Sequence, residues 1–176
     1  MCTHTHMHTH APSDSLPLQL RPLGSRALFY LAAAVSDFYL PLDLLPEHKI
    51  QSSSSSSGAD GALQLRLLPV PKKLKELTSR WAPEAFFASF KLETDQTILL
   101  SKARAAIDKY GTHLVVANLL QTRREAATLV WATDGGATAT VELRREASSE
   151  GLEAQIVAAV KARHSHFRGA DPQQER

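Results

Sequence analysis

The apolar run LFYLAAAV, at residues 28–35, constrains the fold more strongly than any other stretch of this chain. Polar residues do not alternate with the apolar ones, which is the pattern of a strand buried on both faces of a parallel sheet. The run narrows to alanines, which let a ligand approach the backbone, and then meets Ser36 and Asp37. Ligands bind beyond the carboxyl ends of parallel strands. We therefore expect Asp37 to lie where the strand meets a binding site, although an aspartate that only caps its own turn fits the same pattern.

Strand and helix patterns alternate along the rest of the chain. Strands are predicted at residues 62–68, 85–92 and 113–118, and helices at residues 72–81, at residues 95–110 and from near Ser149 onwards. Two β-rich runs around Asp134, Gly135 and Gly136 predict a hairpin over residues 127–143, and Gly111 is expected to end the second helix. This order predicts an α/β fold with a mostly parallel sheet, flanking helices and a C-terminal β-hairpin.

Composition and charge narrow the class of protein. The 43% hydrophobic and 22% charged residues are typical of a globular domain. The net charge of +2 suits a small anionic ligand, whereas no Lys/Arg stripe indicates nucleic-acid binding. No apolar run is long enough to cross a membrane. The single cysteine, Cys2, excludes an internal disulfide, and without a signal-like segment the chain is predicted to be cytoplasmic.

The first residues differ from the rest of the chain. His4, His6, His8 and His10 alternate with polar residues and are followed by a segment that contains Pro and Ser. Alternating histidines could chelate a transition metal. We favour a disordered leader of biased composition, and we assign no metal ligands. The chain also has no complete dinucleotide fingerprint, Walker A motif, zinc-type spacing or nucleophile elbow.

Several residues could carry chemistry, and each has a simpler alternative. Lys72 and Lys73 crowd the start of a predicted helix, where the dipole disfavours cations. A bound triphosphate would offset that repulsion, but a solvated basic face fits equally well. Phe90 and Asn118 lie near the ends of predicted strands and could contact a nucleotide, or they could fill the core and form a turn. Lys49 lies in a polar segment that could reach over a neighbouring site, or it is simply exposed.

Five ordered segments give a more specific signal. The chain resembles the eukaryotic phosphopantothenoylcysteine synthetases, or phosphopantothenate–cysteine ligases, in AAAVSDFYLP, PEHKIQSS, VPKKLKEL, SFKLETD and VVANLL. The resemblance predicts a domain over residues 28–167, between a disordered leader at 1–27 and a disordered tail at 168–176. It also implies a Rossmann-like fold, a homodimer and a role in coenzyme A biosynthesis.

The resemblance implies a reaction and a set of site residues. The enzyme would activate the carboxylate of 4′-phosphopantothenate with ATP or CTP and Mg²⁺, forming an acyl-nucleotidylate that the amine of cysteine attacks. The implied residues are Ala33, Ala34 and Asp37 for the phosphopantothenate, Lys49 for catalysis on a mobile flap, and Lys72, Lys73, Phe90 and Asn118 for the nucleotide.

The chain departs from the family pattern at its beginning. Nothing in residues 1–27 resembles the N-terminal half of the family, which has a Gly-rich nucleotide loop. The sequence therefore predicts a ligase polypeptide that lacks its N-terminal half. A non-catalytic binding or dimerisation variant of the same enzyme is the alternative.

Overall fold

The computed structural model describes residues 21–32, 35–45, 65–145 and 151–169. They fall into two compact units, the first from residues 1–32 and 73–176 and the second from residues 33–72. The predicted leader up to residue 20, residues 62–64 of the strand predicted at 62–68, and Ser149 lie outside the described residues. Of the four described residues of that predicted strand, only Leu68 lies in a strand.

The described secondary structure comprises seven strands and three α-helices. The strands are β1 (Leu28–Leu31), β2 (Phe38–Tyr39), β3 (Leu68–Pro69), β4 (Phe86–Glu93), β5 (Leu114–Leu119), β6 (Ala126–Ala132) and β7 (Thr138–Arg144). The helices are α1 (Leu74–Glu76), α2 (Gln96–Tyr110) and α3 (Leu152–Gly169). Short 3₁₀ segments occur at Arg21–Arg26 and Leu42–Leu44, and a π-helical turn at Leu77–Trp81.

Five strands form the sheet of the first unit, in the order β1-β4-β5-β6-β7. β1, β4 and β5 are parallel, so Leu31, Glu93 and Leu119 end at one edge, which we call the carboxyl edge. β6 and β7 run antiparallel to their neighbours and form the predicted hairpin. The prediction of an α/β fold with a mostly parallel sheet, flanking helices and a C-terminal hairpin is confirmed.

One helix covers each face of this sheet. The apolar stripe of α2 packs on one face, where the buried cluster is Leu99, Ala103, Ile107, Val115, Ala117 and Val130. The stripe of α3 packs on the other face, with Leu152, Ile156 and Val160 against Phe86, Ala88, Leu114, Val116, Ala127 and Leu129. Because both faces are covered, the central strands can be apolar throughout, as their sequences predict.

The ends of α2 follow from its flanking residues. The Asp95 side chain accepts a hydrogen bond from the backbone N–H of Thr97 at 2.8 Å, which caps the first turn. Gly111 adopts a left-handed conformation, with φ of 69°, and donates its N–H to the Ile107 carbonyl. Gly111 therefore ends the helix as the sequence predicts.

The helix predicted at residues 72–81 is less regular than expected. It is α-helical only over α1 and then widens into the π-helical turn, in which Ala82 donates to the Leu77 carbonyl at 2.9 Å. Leu77 packs against a small cluster that contains Ala82 and Phe87. Tertiary packing of this kind can override a helical periodicity read from sequence.

The second unit contains a short antiparallel ladder. β2 pairs with β3 through Phe38 opposite Pro69 and Tyr39 opposite Leu68. The ladder continues by one hydrogen bond, from the Val70 N–H to the Asp37 carbonyl at 2.9 Å.

Candidate functional site

Two predicted site residues meet in the second unit. The Lys72 ammonium donates to the Asp37 carboxylate, next to the ladder that joins β2 and β3. Ser36 accepts from the Phe38 N–H and donates to the Phe38 carbonyl, which closes the turn before β2. The side chains of Asp37 and Lys72 are 74% and 48% exposed, so a ligand could reach both charges.

Lys73 also has a carboxylate partner, within the first unit. Its ammonium donates to Glu76 at 2.7 Å, and Arg80 contacts the other oxygen of Glu76 at 3.4 Å. Glu76 therefore supplies the negative charge that the sequence suggested for a bound anion. The ion pairs Lys72–Asp37 and Lys73–Glu76 lie at the surface and contribute little to stability. A ligand could therefore displace either ion pair at low cost.

Three predicted residues lie outside the described residues: Ala33, Ala34 and Lys49. Their assignment to phosphopantothenate binding and to catalysis stays a prediction.

Phe90 lies on β4 near the carboxyl edge, on the face that α3 covers, and packs against the core cluster there. The ring of Tyr30 on β1 meets Phe90 edge-on, with 5.1 Å between centroids. Burial, with a smaller contribution from Glu153, raises the pKa of the Tyr30 hydroxyl. The sequence analysis missed Tyr30. Residues two apart in a strand point to the same face, so the spacing of Leu28 and Tyr30 could have placed both on this face.

Asn118 lies on β5, on the same face as Phe90. Phe90 pairs in register with Val116, so Asn118 is two residues nearer the carboxyl edge, opposite Leu92. Its amide donates to the carbonyl of Ala126, the first residue of β6, at 3.1 Å. This bond fixes the amide orientation, and no donor to its carbonyl oxygen is found among the described residues. The structure thus places Phe90 and Asn118 on one face of adjacent strands, two residues apart in register, near the carboxyl edge.

The amino terminus of α2 also lies at this edge, since α2 follows β4. Such a helix terminus commonly binds phosphate. Here the Asp95 carboxylate occupies the position and also accepts from the Thr97 hydroxyl at 2.8 Å. The Thr97 hydrogen bonds lower the pKa of Asp95, which keeps it anionic. A phosphate at this terminus would face a like charge.

The turn from β5 to β6 is well ordered by its own hydrogen bonds. Thr122 accepts from the N–H groups of Glu125 and Ala126 at 2.8 and 2.9 Å, so Arg123 and Arg124 occupy its corner. Arg123 donates to the Leu120 carbonyl at 2.6 Å. Arg124 is exposed, and no hydrogen bond, ion pair or ring contact of its guanidinium is found within the described part of the chain.

The opposite end of the sheet holds a small open cavity of about 200 Å³. Its walls are Arg21, Gly24, Ala82, Pro83, Glu84 and Ala85, which precede β1 and β4. Over the described ranges, no helix is long and apolar enough to span a membrane. Within the same described residues, no group of three or more His, Cys, Asp or Glu side chains lies close enough together to hold a metal ion.

Comparison with known proteins identifies the family. Residues 19–160 match the model of the DNA/pantothenate metabolism flavoprotein C-terminal domain. The chain belongs to this family. Members similar to it include the phosphopantothenate–cysteine ligases of Mus musculus, 46% identical over 152 residues, and of Saccharomyces cerevisiae (CAB2), 42% identical over 157 residues. The predicted resemblance to phosphopantothenate–cysteine ligases is confirmed.

A solved structure is also similar to this chain. A Cab2 mutant in complex with phosphopantothenate-cysteine matches 89% of this chain with a TM-score of 0.74 and 40% sequence identity. The chain spans 49% of that protein, and 46% of the mouse ligase against 85% of its own length. It therefore corresponds to about half the length of the relatives that it matches.

Proposed function

We propose that this chain is a phosphopantothenate–cysteine ligase polypeptide that carries one part of the ligase active site. The observation that carries the proposal is the placement of Phe90 and Asn118 on one face of adjacent strands near the carboxyl edge, within a family of named ligases. Ligands of open α/β sheets bind at this edge. The partly buried ring of Phe90 suits stacking of a base, and the oriented amide of Asn118 suits a polar contact with the same nucleotide.

The proposed reaction joins 4′-phosphopantothenate to cysteine. ATP or CTP, with Mg²⁺, converts the carboxylate into an acyl-nucleotidylate and releases pyrophosphate, and the cysteine amine then displaces the nucleoside monophosphate. Ala33, Ala34 and Asp37 would hold phosphopantothenate. Lys49 would stabilise the charge that develops at phosphorus, which a positioned cation does more effectively in the transition state than in the substrate.

The second candidate function is a non-catalytic binding or dimerisation protein of the same family, active in the cytoplasm as a partner for a longer ligase chain. It is favoured by β1, which is apolar and is the outer strand of the parallel part of the sheet among the described residues. Apolar parallel strands are usually covered on both sides.

Amide formation by the purified 176-residue chain separates the two candidates. The assay supplies 4′-phosphopantothenate, cysteine, Mg²⁺ and either ATP or CTP, and measures pyrophosphate and amide product. We expect slow turnover, because incomplete positioning of substrates forfeits part of the roughly 7–11 kcal/mol that orientation can supply. The matched control is Lys49→Ala. Product above that control supports the ligase, whereas ligand binding without any product supports the second candidate.

A further inference from the structure

We propose that Arg124 binds the polyphosphate of the nucleotide at the carboxyl edge. The proposal rests on the proposed function and adds to it the group that neutralises the phosphate charge within the first unit.

The first argument is one of position. Asn118 donates to the Ala126 carbonyl, and Arg124 lies two residues before Ala126 in the turn that follows β5. The Asn118 amide and the corner of this turn therefore share the same end of the same strand pair. A nucleotide whose base contacts Phe90 and whose sugar or phosphate contacts Asn118 would extend toward the turn.

The second argument is that several other cationic or dipolar groups of the described residues near this edge already have partners. The amino terminus of α2 is occupied by the Asp95 carboxylate. Lys91 is paired with Glu93 at 2.8 Å, and the guanidinium of Arg123 is bound to the Leu120 carbonyl. Across the described residues of the turn, Arg124 is the cation with no such contact.

The third argument concerns rigidity. Hydrogen bonds from the N–H groups of Glu125 and Ala126 to the Thr122 carbonyl fix the backbone at Arg124. The N–H of Arg145, the residue that follows β7, also donates to the Glu125 carbonyl at 2.7 Å. A backbone fixed in this way lowers the entropic cost of holding a side chain against a ligand. Guanidinium also binds phosphate through two parallel hydrogen bonds, which an ammonium cannot do.

The test measures binding of nucleotides to the 176-residue chain by isothermal titration calorimetry with Mg²⁺. The ligands are ATP, CTP and the two corresponding nucleosides. The variants are Arg124→Gln and Arg124→Lys. Lys161→Gln is the matched control, because Lys161 is an exposed cation on α3, well along the helix from the carboxyl edge.

We expect Arg124→Gln to weaken triphosphate binding about tenfold or more, the loss typical of a charged hydrogen bond. Nucleoside binding should not change, Arg124→Lys should lose less than Arg124→Gln, and Lys161→Gln should lose less than about threefold. Equal losses in Arg124→Gln and Lys161→Gln overturn the proposal, and so does an equal loss of nucleoside binding or of folded structure by circular dichroism. If the unaltered chain binds neither triphosphate, the nucleotide site of the proposed function is overturned as well.

Discussion

Acid should destabilise the first unit through His113, which lies immediately before β5. Its Nδ1 accepts the backbone N–H of Phe87 at 3.1 Å, so the neutral ring carries its proton on Nε2. The ring stacks on Phe86, with 5.1 Å between centroids, and meets the edge of Phe167 at 4.6 Å. One imidazole thus joins β4, β5 and α3.

The direction of the pH effect follows from the burial of this ring. Burial lowers the pKa of His113 below its ordinary value of 6.5, because the charged form loses hydration. Below about pH 6.5 the unfolded chain therefore binds more protons at this residue than the folded chain does. The stabilisation by the neutral His113 ring is fully present above the pKa of His113 in the unfolded chain. It is lost as the pH falls through the lower pKa of His113 in the folded chain. Each pH unit between the two values costs at most about 1.4 kcal/mol.

The assay is urea unfolding, followed by circular dichroism from about pH 8 to about pH 5. The comparison variant is His113→Phe, which keeps an aromatic ring but leaves the Phe87 N–H without its acceptor. This variant should lose about 1–3 kcal/mol at the upper end of the range. The difference in unfolding free energy between the two proteins should then narrow as the pH falls. A difference that stays constant across the range would refute the role given to His113.

Two further predictions concern the core and Lys49, the proposed catalytic residue. Phe87→Ala should lower the free energy of unfolding by about 3–5 kcal/mol, because the ring is fully buried and stacks on Phe29 at 4.8 Å. Phe38→Ala, at a 55% exposed position, should cost less than about 0.5 kcal/mol, and similar losses in urea unfolding would contradict the description of the core. Lys49→Ala should lower kcat and kcat/KM of the ligase reaction together and leave nucleotide affinity nearly unchanged. A kcat within about twofold of the unaltered value would refute its catalytic role.

The sequence predicts the central elements of the first unit well because their signals are local. β4 and β5 are apolar runs bounded by turn residues, and α2 combines a helical apolar stripe with Asp95 before it and Gly111 after it. Each of these signals acts within a few residues along the chain. The predicted ranges of these elements accordingly agree with the structure to within one residue at either end.

The polar side chains of the site are harder to predict, because their partners are distant in sequence or depend on register. The pairing of Lys72 with Asp37 joins residues 35 positions apart. The contact of Tyr30 with Phe90 follows from the register of β1 against β4, which no local pattern contains. Arg124 carries no sequence signal that separates it from Arg123, because only the turn geometry engages one guanidinium and exposes the other.

The predicted site residues lie in elements of different local stability. Phe90 and Asn118 belong to strands whose neighbours Phe87, Val115 and Val116 are almost completely buried, so these residues should move only when the sheet itself opens. Asp37 and Lys72 flank a ladder of two residues per strand, with Phe38 and Tyr39 largely exposed, and such a ladder is marginal by itself. Backbone amides of β4 and β5 should therefore exchange with solvent much more slowly than those of the ladder, which hydrogen exchange measures.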